Sequence, residues 1–206
     1  MGEKYDDALL IQLIESLNRA GAIVLMDSPY RRVFYDKTDT FYQQLLSFEN
    51  VIIIESFSKS LGLSGQRIGF IHSTDEGFIK EAALRILYAT NGINGFAQML
   101  VTKLLTAPEG QQAVREFKTA TATAIAKNIT YLAEHHLLAE ELYRETRPMG
   151  IFAVINKPPE WLFARRIGAV SLGYFTSETN PEWEKISRIS VSVPHEKFVS
   201  FFNSIS

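Results

Sequence analysis

Cysteine is absent from this chain of 206 residues. That excludes a disulfide framework, a thiolate nucleophile and a cysteine zinc site. An excess of either charge is also missing. The chain carries 21 Lys and Arg against 23 Asp and Glu, a net charge of −2. With no basic cluster, this argues against a nucleic-acid surface. No apolar run approaches the roughly 20 residues that span a bilayer. The amino terminus, Met1-Gly2-Glu3-Lys4-Tyr5-Asp6-Asp7, lacks the apolar core of a secretory signal. The four histidines are scattered, and the adjacent pair His135-His136 lacks the i, i+4 spacing of a helical metal site. There is no Gly-x-Ser-x-Gly elbow, no internal repeat and no low-complexity tract. The expectation is a soluble cytoplasmic protein with no metal site, no nucleic-acid partner and no membrane partner.

What is present is material for a core. Hydrophobic residues make up 46% of the chain, and the length predicts one domain or two small ones. Asp6 or Asp7 can cap a first helix whose apolar residues Leu9, Leu10, Leu13, Ile14 and Leu17 recur at helical spacing. Gly21 ends it. Ile23 to Met26 reads as a buried strand running into Asp27-Ser28-Pro29-Tyr30, where Pro29 forces a turn. Phe41 to Phe48 reads as a short helix or turn leading to Val51. After Ile71 the pattern is helical over Glu76–Tyr88, Phe96–Leu105 and a long segment of about 109–136. A smaller α/β unit follows, with strands at Ile151–Ile155 and Ser187–Val193, a helix over Glu160–Ile167 and a last helix from His195. Trp161 and Trp183 read as packing residues of that unit.

The chain is organised around Val51 to Ile71. Val51–Ile54 is a wholly apolar, β-branched run and reads as a buried strand. Ser56-Phe57-Ser58-Lys59 follows at its end. Gly62, Ser64 and Gly65 predict a flexible loop, and Arg67 opens a second apolar run, Ile68–Ile71, which reads as another buried strand. Strand, crossover and strand form a βαβ unit, so the strands ending at Met26 and Ile54 should be parallel. Asp27 and Lys59 then lie at one sheet edge, where open α/β sheets bind ligands. Two readings remain at this point. The pair is a structural ion pair, or it is the lysine and carboxylate that an aldehyde cofactor with a pyridine ring requires.

The run Ser56 to Gly69 resembles the pyridoxal-phosphate attachment signature of class I/II aminotransferases, within fold type I. A small, an apolar and a small residue precede Lys59, a Gly/Leu-rich loop follows, and Arg67 comes eight residues after the lysine. The flanks agree. Asp27-Ser28-Pro29-Tyr30 resembles the family's Asp-x-x-Tyr, Gly150-Ile151-Phe152 its Gly-x-Phe strand, and Arg188-Ile189-Ser190 its carboxyl-terminal Arg-Ile-Ser segment. The resemblance implies that Lys59 carries pyridoxal 5'-phosphate and serves as general acid/base. It gives Asp27 the pyridine nitrogen and Tyr30 the 3′-oxygen. Ser56, Ser58 and Arg67 receive the phosphate, and Arg188 the substrate's α-carboxylate.

Family members are roughly twice this length. The phosphate-cradling loop, the ring-stacking aromatic and the Asn-Pro-x-Gly turn of their first half have no counterpart here. The resemblance therefore implies an α/β chain equivalent to the carboxyl-terminal half. Residues 1–120 would complete a partial large domain with a mostly parallel sheet, and 121–206 would form the small domain. The function implied is amino transfer from an amino acid to a 2-oxo acid, weak or absent in this portion alone. Alternatives are another fold type I enzyme (a β-lyase or synthase), an aminotransferase-like regulator domain, or a non-catalytic remnant. The implied partners are the two substrates, and either a second copy or a polypeptide supplying the other half.

Overall fold

A computed structural model describes residues 5–34, 39–143 and 148–203. The chain divides into two compact units, Tyr5–Lys118 and a unit beginning at Thr119.

In the first unit, α1 (Asp7–Arg19) starts where the Asp6 carboxylate accepts a hydrogen bond from the Leu9 N–H, satisfying one of the donors a helix start leaves open. It ends before Gly21, whose φ is +70°. Its inward stripe is the buried Ile14 with the half-buried Leu10 and Ile11. Leu9 and Leu13, expected on that stripe, are exposed, because the face turned to the sheet lies one position further round the helix. β1 (Val24–Asp27) and β2 (Val51–Ser56) are parallel, with Asp27 beside Ile54. Between them lie α2 (Arg31–Phe34) and α3 (Thr40–Leu45). Arg31 ties these segments to α1 with paired bonds to Asp39 (2.6 and 2.7 Å) and Asp7 (2.9 and 3.0 Å). Burial weakens its hold on its proton, but the two carboxylates outweigh this and hold the guanidinium more firmly ionised than usual.

β2 runs directly into α4 (Phe57–Ser60), and a 3-10 turn over Ser64–Gln66 returns the chain to β3 (Gly69–His72). β3 is antiparallel to β2. The described sheet, in the order β1-β2-β3, is therefore mixed where a mostly parallel one was expected. The chain reverses at a single edge, and no crossover helix carries it back to the opposite end. β3 alternates between exposed and half-buried residues, so it is not the buried strand expected from Ile68–Ile71. The flexible loop expected at Gly62–Gly65 is partly the 3-10 turn.

One face of this sheet is packed. Val51 and Ile53 of β2 join Ile14, Phe41 and Leu45 in a buried cluster. The other face is partly open, with Leu25 63% and Ile71 39% exposed. α5 (Glu76–Thr90) buries none of its residues, and α6 (Gly95–Thr106) buries only Ala97 and Val101. α7 (Pro108–Glu134) is one continuous helix that leads into the second unit.

In the second unit, β4 (Phe152–Ile155), β5 (Val170–Ser171) and β6 (Ser187–Ser190) form an antiparallel sheet in the order β4-β6-β5. α8 is Pro159–Phe163 and α9 is His195–Asn203. α8 is shorter than the expected Glu160–Ile167. The chain passes through the left-handed region at Arg166, φ +60°, which a continuing helix cannot do. β6 stops short of the expected Val193, and the two-residue β5 has no counterpart in the sequence pattern. Asn128, fully buried on α7, donates to the carbonyls of Val191 and Val193 at 3.0 and 2.7 Å. Its oxygen therefore faces His195 Nδ1 at 2.8 Å, which must be the protonated ring nitrogen. Trp183 packs against the Ala139–Val154–Leu172 cluster, and Trp161 stacks under the Arg165 guanidinium at 3.5 Å.

Candidate active site

Lys59 is placed by what surrounds it in sequence. Three of its neighbours, Phe57, Leu61 and Leu63, pack onto a buried cluster of Ile68, Ala97 and Val101. The Phe57 N–H donates to the Ile68 carbonyl, and the N–H groups of Leu61 and Leu63 both donate to the Phe57 carbonyl. The apolar positions of the Ser56–Gly69 run thus pin the loop from beneath, and Lys59 stays half-buried between them. Gly62, φ +69°, lies under the Phe117 ring, 3.2 Å from where a Cβ would stand. Gly69 is required for a different reason. A Cβ there would fall on the Glu55 carbonyl, so the close approach of β3 to the end of β2 needs glycine.

The register brings the first-unit residues to one edge. Asp27 ends β1, Ser56 ends β2 on the same face, and Arg67 precedes the Gly69 that pairs with Ser56. Ser56 Oγ accepts from the Ser58 N–H at 3.1 Å, which leaves its own hydrogen to donate. Arg67 has a left-handed backbone, φ +49°, and gives one guanidinium N–H to the Ser64 carbonyl at 3.1 Å. Its remaining donors are available. Tyr30 lies in the turn after Pro29 and is 39% exposed. Neither Lys59 nor Asp27 makes an ion pair or side-chain hydrogen bond with any described residue. The structural ion pair, one of the two readings of the sequence, is not formed.

Arg188 belongs to the second unit, on β6 opposite Val154 of β4 and Val170 of β5. Its guanidinium lies over two aromatic rings, 4.3 Å from the centre of Phe152 and 4.0 Å from that of Phe175. It makes no ion pair or hydrogen bond with a described residue. A flat guanidinium held by ring faces, with its N–H fork open, suits a planar carboxylate.

Three polar residues at the first edge were not singled out from the sequence. Ser28, Tyr42 and Glu55 form a hydrogen-bonded chain beneath it, Ser28 Oγ to Tyr42 Oη to Glu55 Oε1. The available signal was Glu55 itself, a carboxylate in step with Val51 and Ile53 on the packed face of β2. Among the described residues no group of three His, Cys, Asp or Glu could hold a metal ion, and no helix is long and apolar enough to cross a membrane.

The family described as aminotransferase class I and II matches residues 1–199. The chain belongs to this aminotransferase family. An aspartate aminotransferase of Pyrococcus horikoshii is 30% identical over 117 residues, which cover 57% of this chain and 30% of that relative. Among solved structures, an aromatic aminotransferase from Pyrococcus horikoshii OT3 superposes with a TM-score of 0.76 at 19% identity, covering 98% of this chain and 55% of that one. A Pyrococcus horikoshii kynurenine aminotransferase, solved in complex with PMP, gives 0.73 at 17% identity, covering 100% and 54%. At these identities the structural likeness shows the α/β aminotransferase fold. The chain spans about half the length of these aminotransferase structures.

The donor set fits pyridoxal phosphate, the cofactor that the aminotransferase family uses. An amine and a carboxylate with no partner among the described residues occupy one sheet edge, beside a hydroxyl and a guanidinium with donors left for a phosphate.

Proposed function

We propose that this chain is the lysine-bearing portion of a pyridoxal-phosphate-dependent aminotransferase, moving an amino group from an amino acid to a 2-oxo acid. The observation that carries this is the sheet edge where Lys59 and Asp27 have no ion-pair or side-chain hydrogen-bond partner among the described residues, flanked by Ser56, Ser58 and Arg67. In this reading the first unit is part of a large cofactor-binding domain and the second is the small domain. The protein works in the cytoplasm, joined to a second copy or to a polypeptide supplying the other half.

When bound, pyridoxal phosphate supplies an electron sink for negative charge at the substrate's α-carbon. The chain's own residues do the rest. Lys59 would hold the cofactor and, when its amine is free, would move the proton at the substrate's α-carbon. Asp27 would keep the proton on the ring nitrogen. Tyr30 would donate to the 3′-oxygen. Ser56, Ser58 and Arg67 would bind the phosphate. Arg188 would take the α-carboxylate through its paired N–H groups.

Titration of the chain with pyridoxal phosphate tests this. A visible absorption band that Lys59→Ala abolishes is the expected result, and no Lys59-dependent band would sink the proposal. A β-lyase or synthase would use the same residues, so incubation with amino acids and 2-oxo acids and analysis of the products separates those reactions from amino transfer.

A further inference from the structure

Glu55 is 4% exposed, and its Oε2 has no hydrogen-bond partner among the described residues. Its other oxygen accepts from Tyr42, because a carboxyl Oε1 without a hydrogen can only accept. The Tyr42 oxygen, having given its hydrogen to Glu55, accepts from Ser28. The direction of the whole chain follows from the carboxyl at its end. A buried carboxyl with an unpaired oxygen costs stability and gains nothing from packing that an apolar residue would not supply. Its position shows what it links. Ser28 directly follows Asp27, and its N–H donates to the Ile54 carbonyl at 3.3 Å. Glu55 directly precedes Ser56 and lies four residues before Lys59. The two hydrogen bonds therefore clamp the ends of β1 and β2 at the edge where the cofactor residues stand.

We infer that Tyr42 is a positioning residue, holding Asp27 in place relative to the strand that delivers Ser56 and Lys59. This rests on the cofactor reading proposed above. The ring of Tyr42 packs with the Ile14–Phe41–Val51 cluster, so the side chain is anchored and only its hydroxyl serves the clamp. The charged groups that act on Glu55 come from the neighbouring elements. Arg32 of α2 and Lys118 of α7 favour its ionised form, and Asp39, at the start of α3, opposes it.

Tyr42→Phe keeps the packed ring and removes both bonds. The test compares the wild-type chain with Tyr42→Phe, Ser28→Ala and Lys59→Ala, each titrated with pyridoxal phosphate across pH, with thermal unfolding followed without cofactor. The expected result for Tyr42→Phe is a retained Lys59-dependent band, affinity reduced up to about tenfold, and a pH midpoint moved by about one unit, the scale on which a nearby carboxylate acts. Ser28→Ala should move the midpoint in the same direction. A lowered unfolding temperature with an unmoved midpoint and unchanged affinity in Tyr42→Phe would overturn the inference and leave a purely structural network. Should Tyr42→Phe fail to fold, an unmoved midpoint in Ser28→Ala overturns it equally. A wild-type chain indistinguishable from Lys59→Ala would instead mean that the cofactor reading has failed, and the inference falls with it.

Discussion

The guanidinium carbon of Arg188 lies 4.0 Å from the centre of the Phe175 ring and 4.3 Å from that of Phe152 on the neighbouring strand β4. Charge alone does not explain this arrangement, since an exposed arginine is well hydrated without rings. The two rings fix the plane of the guanidinium and therefore the direction of its fork. Phe175→Leu should weaken binding of a monocarboxylate by about fivefold, in line with a cation–π contact of roughly 1 kcal/mol. Arg188→Lys should lose binding more severely, because a point charge does not replace a paired fork. Carboxylate titration followed by the Arg188 Nε–Hε resonance reads the first, and isothermal calorimetry reads both. Equal affinities for wild type and Phe175→Leu would contradict the role given to the ring.

Glu55 should leave a signature in stability against pH. Burial, the largest influence, raises its carboxyl above the ordinary 4.5, while the Tyr42 hydrogen bond and the Arg32 and Lys118 charges pull the other way without cancelling it. The folded chain therefore holds this proton more tightly than the unfolded chain does. The stability due to this group is full below the ordinary value and is lost as pH rises from there through the raised folded value. Glu55→Gln should flatten that decline while leaving low-pH stability nearly unchanged. Urea midpoints from pH 4 upward measure it, and parallel curves for wild type and variant would refute it.

Gly69→Ala tests the tightness of the strand pair behind Lys59. A methyl there meets the Glu55 carbonyl, and overpacking of this kind costs about 1–3 kcal/mol. Chemical denaturation should show that loss. A variant as stable as the parent would mean that β3 yields freely.

Asn128 should be the costliest polar residue to remove in the second unit. Asn128→Ala strips the partner from the Val191 and Val193 carbonyls and from His195. Each buried group left unpaired costs on the order of 1–3 kcal/mol. A fall in unfolding temperature well beyond that of the exposed control Asn18→Ala is the expected outcome.

The open apolar surface of the first unit, including Leu25, Leu84, Leu87 and Tyr88, should make the isolated chain associate. Sedimentation velocity should show mass rising with concentration, and Leu87→Glu should reduce it. A single monomeric species at every concentration would count against this.

The sequence by itself determined more of the edge than of the layers around it. The β-branched run Val51–Ile54, the turn at Pro29 and the helical segment between them were enough to make β1 and β2 parallel. That pairing brings Asp27 and Lys59 to the same edge, because local pattern and connection handedness leave few alternatives. The fourteen-residue run from Ser56 to Gly69 carried the family, since its spacing reflects a loop that has to close. Tertiary structure alone decided the rest. Whether β3 pairs parallel or antiparallel depends on where the chain turns, which no periodicity records. Leu9 and Leu13 could not be separated from Leu10 and Ile14 until the sheet chose a face. Tyr42 and Glu55 are 13 residues apart and look unrelated in the sequence. Only packing of α3 against β2 buries the carboxyl beside the phenol, and a buried carboxyl has to be hydrogen-bonded by whatever donor the fold brings to it.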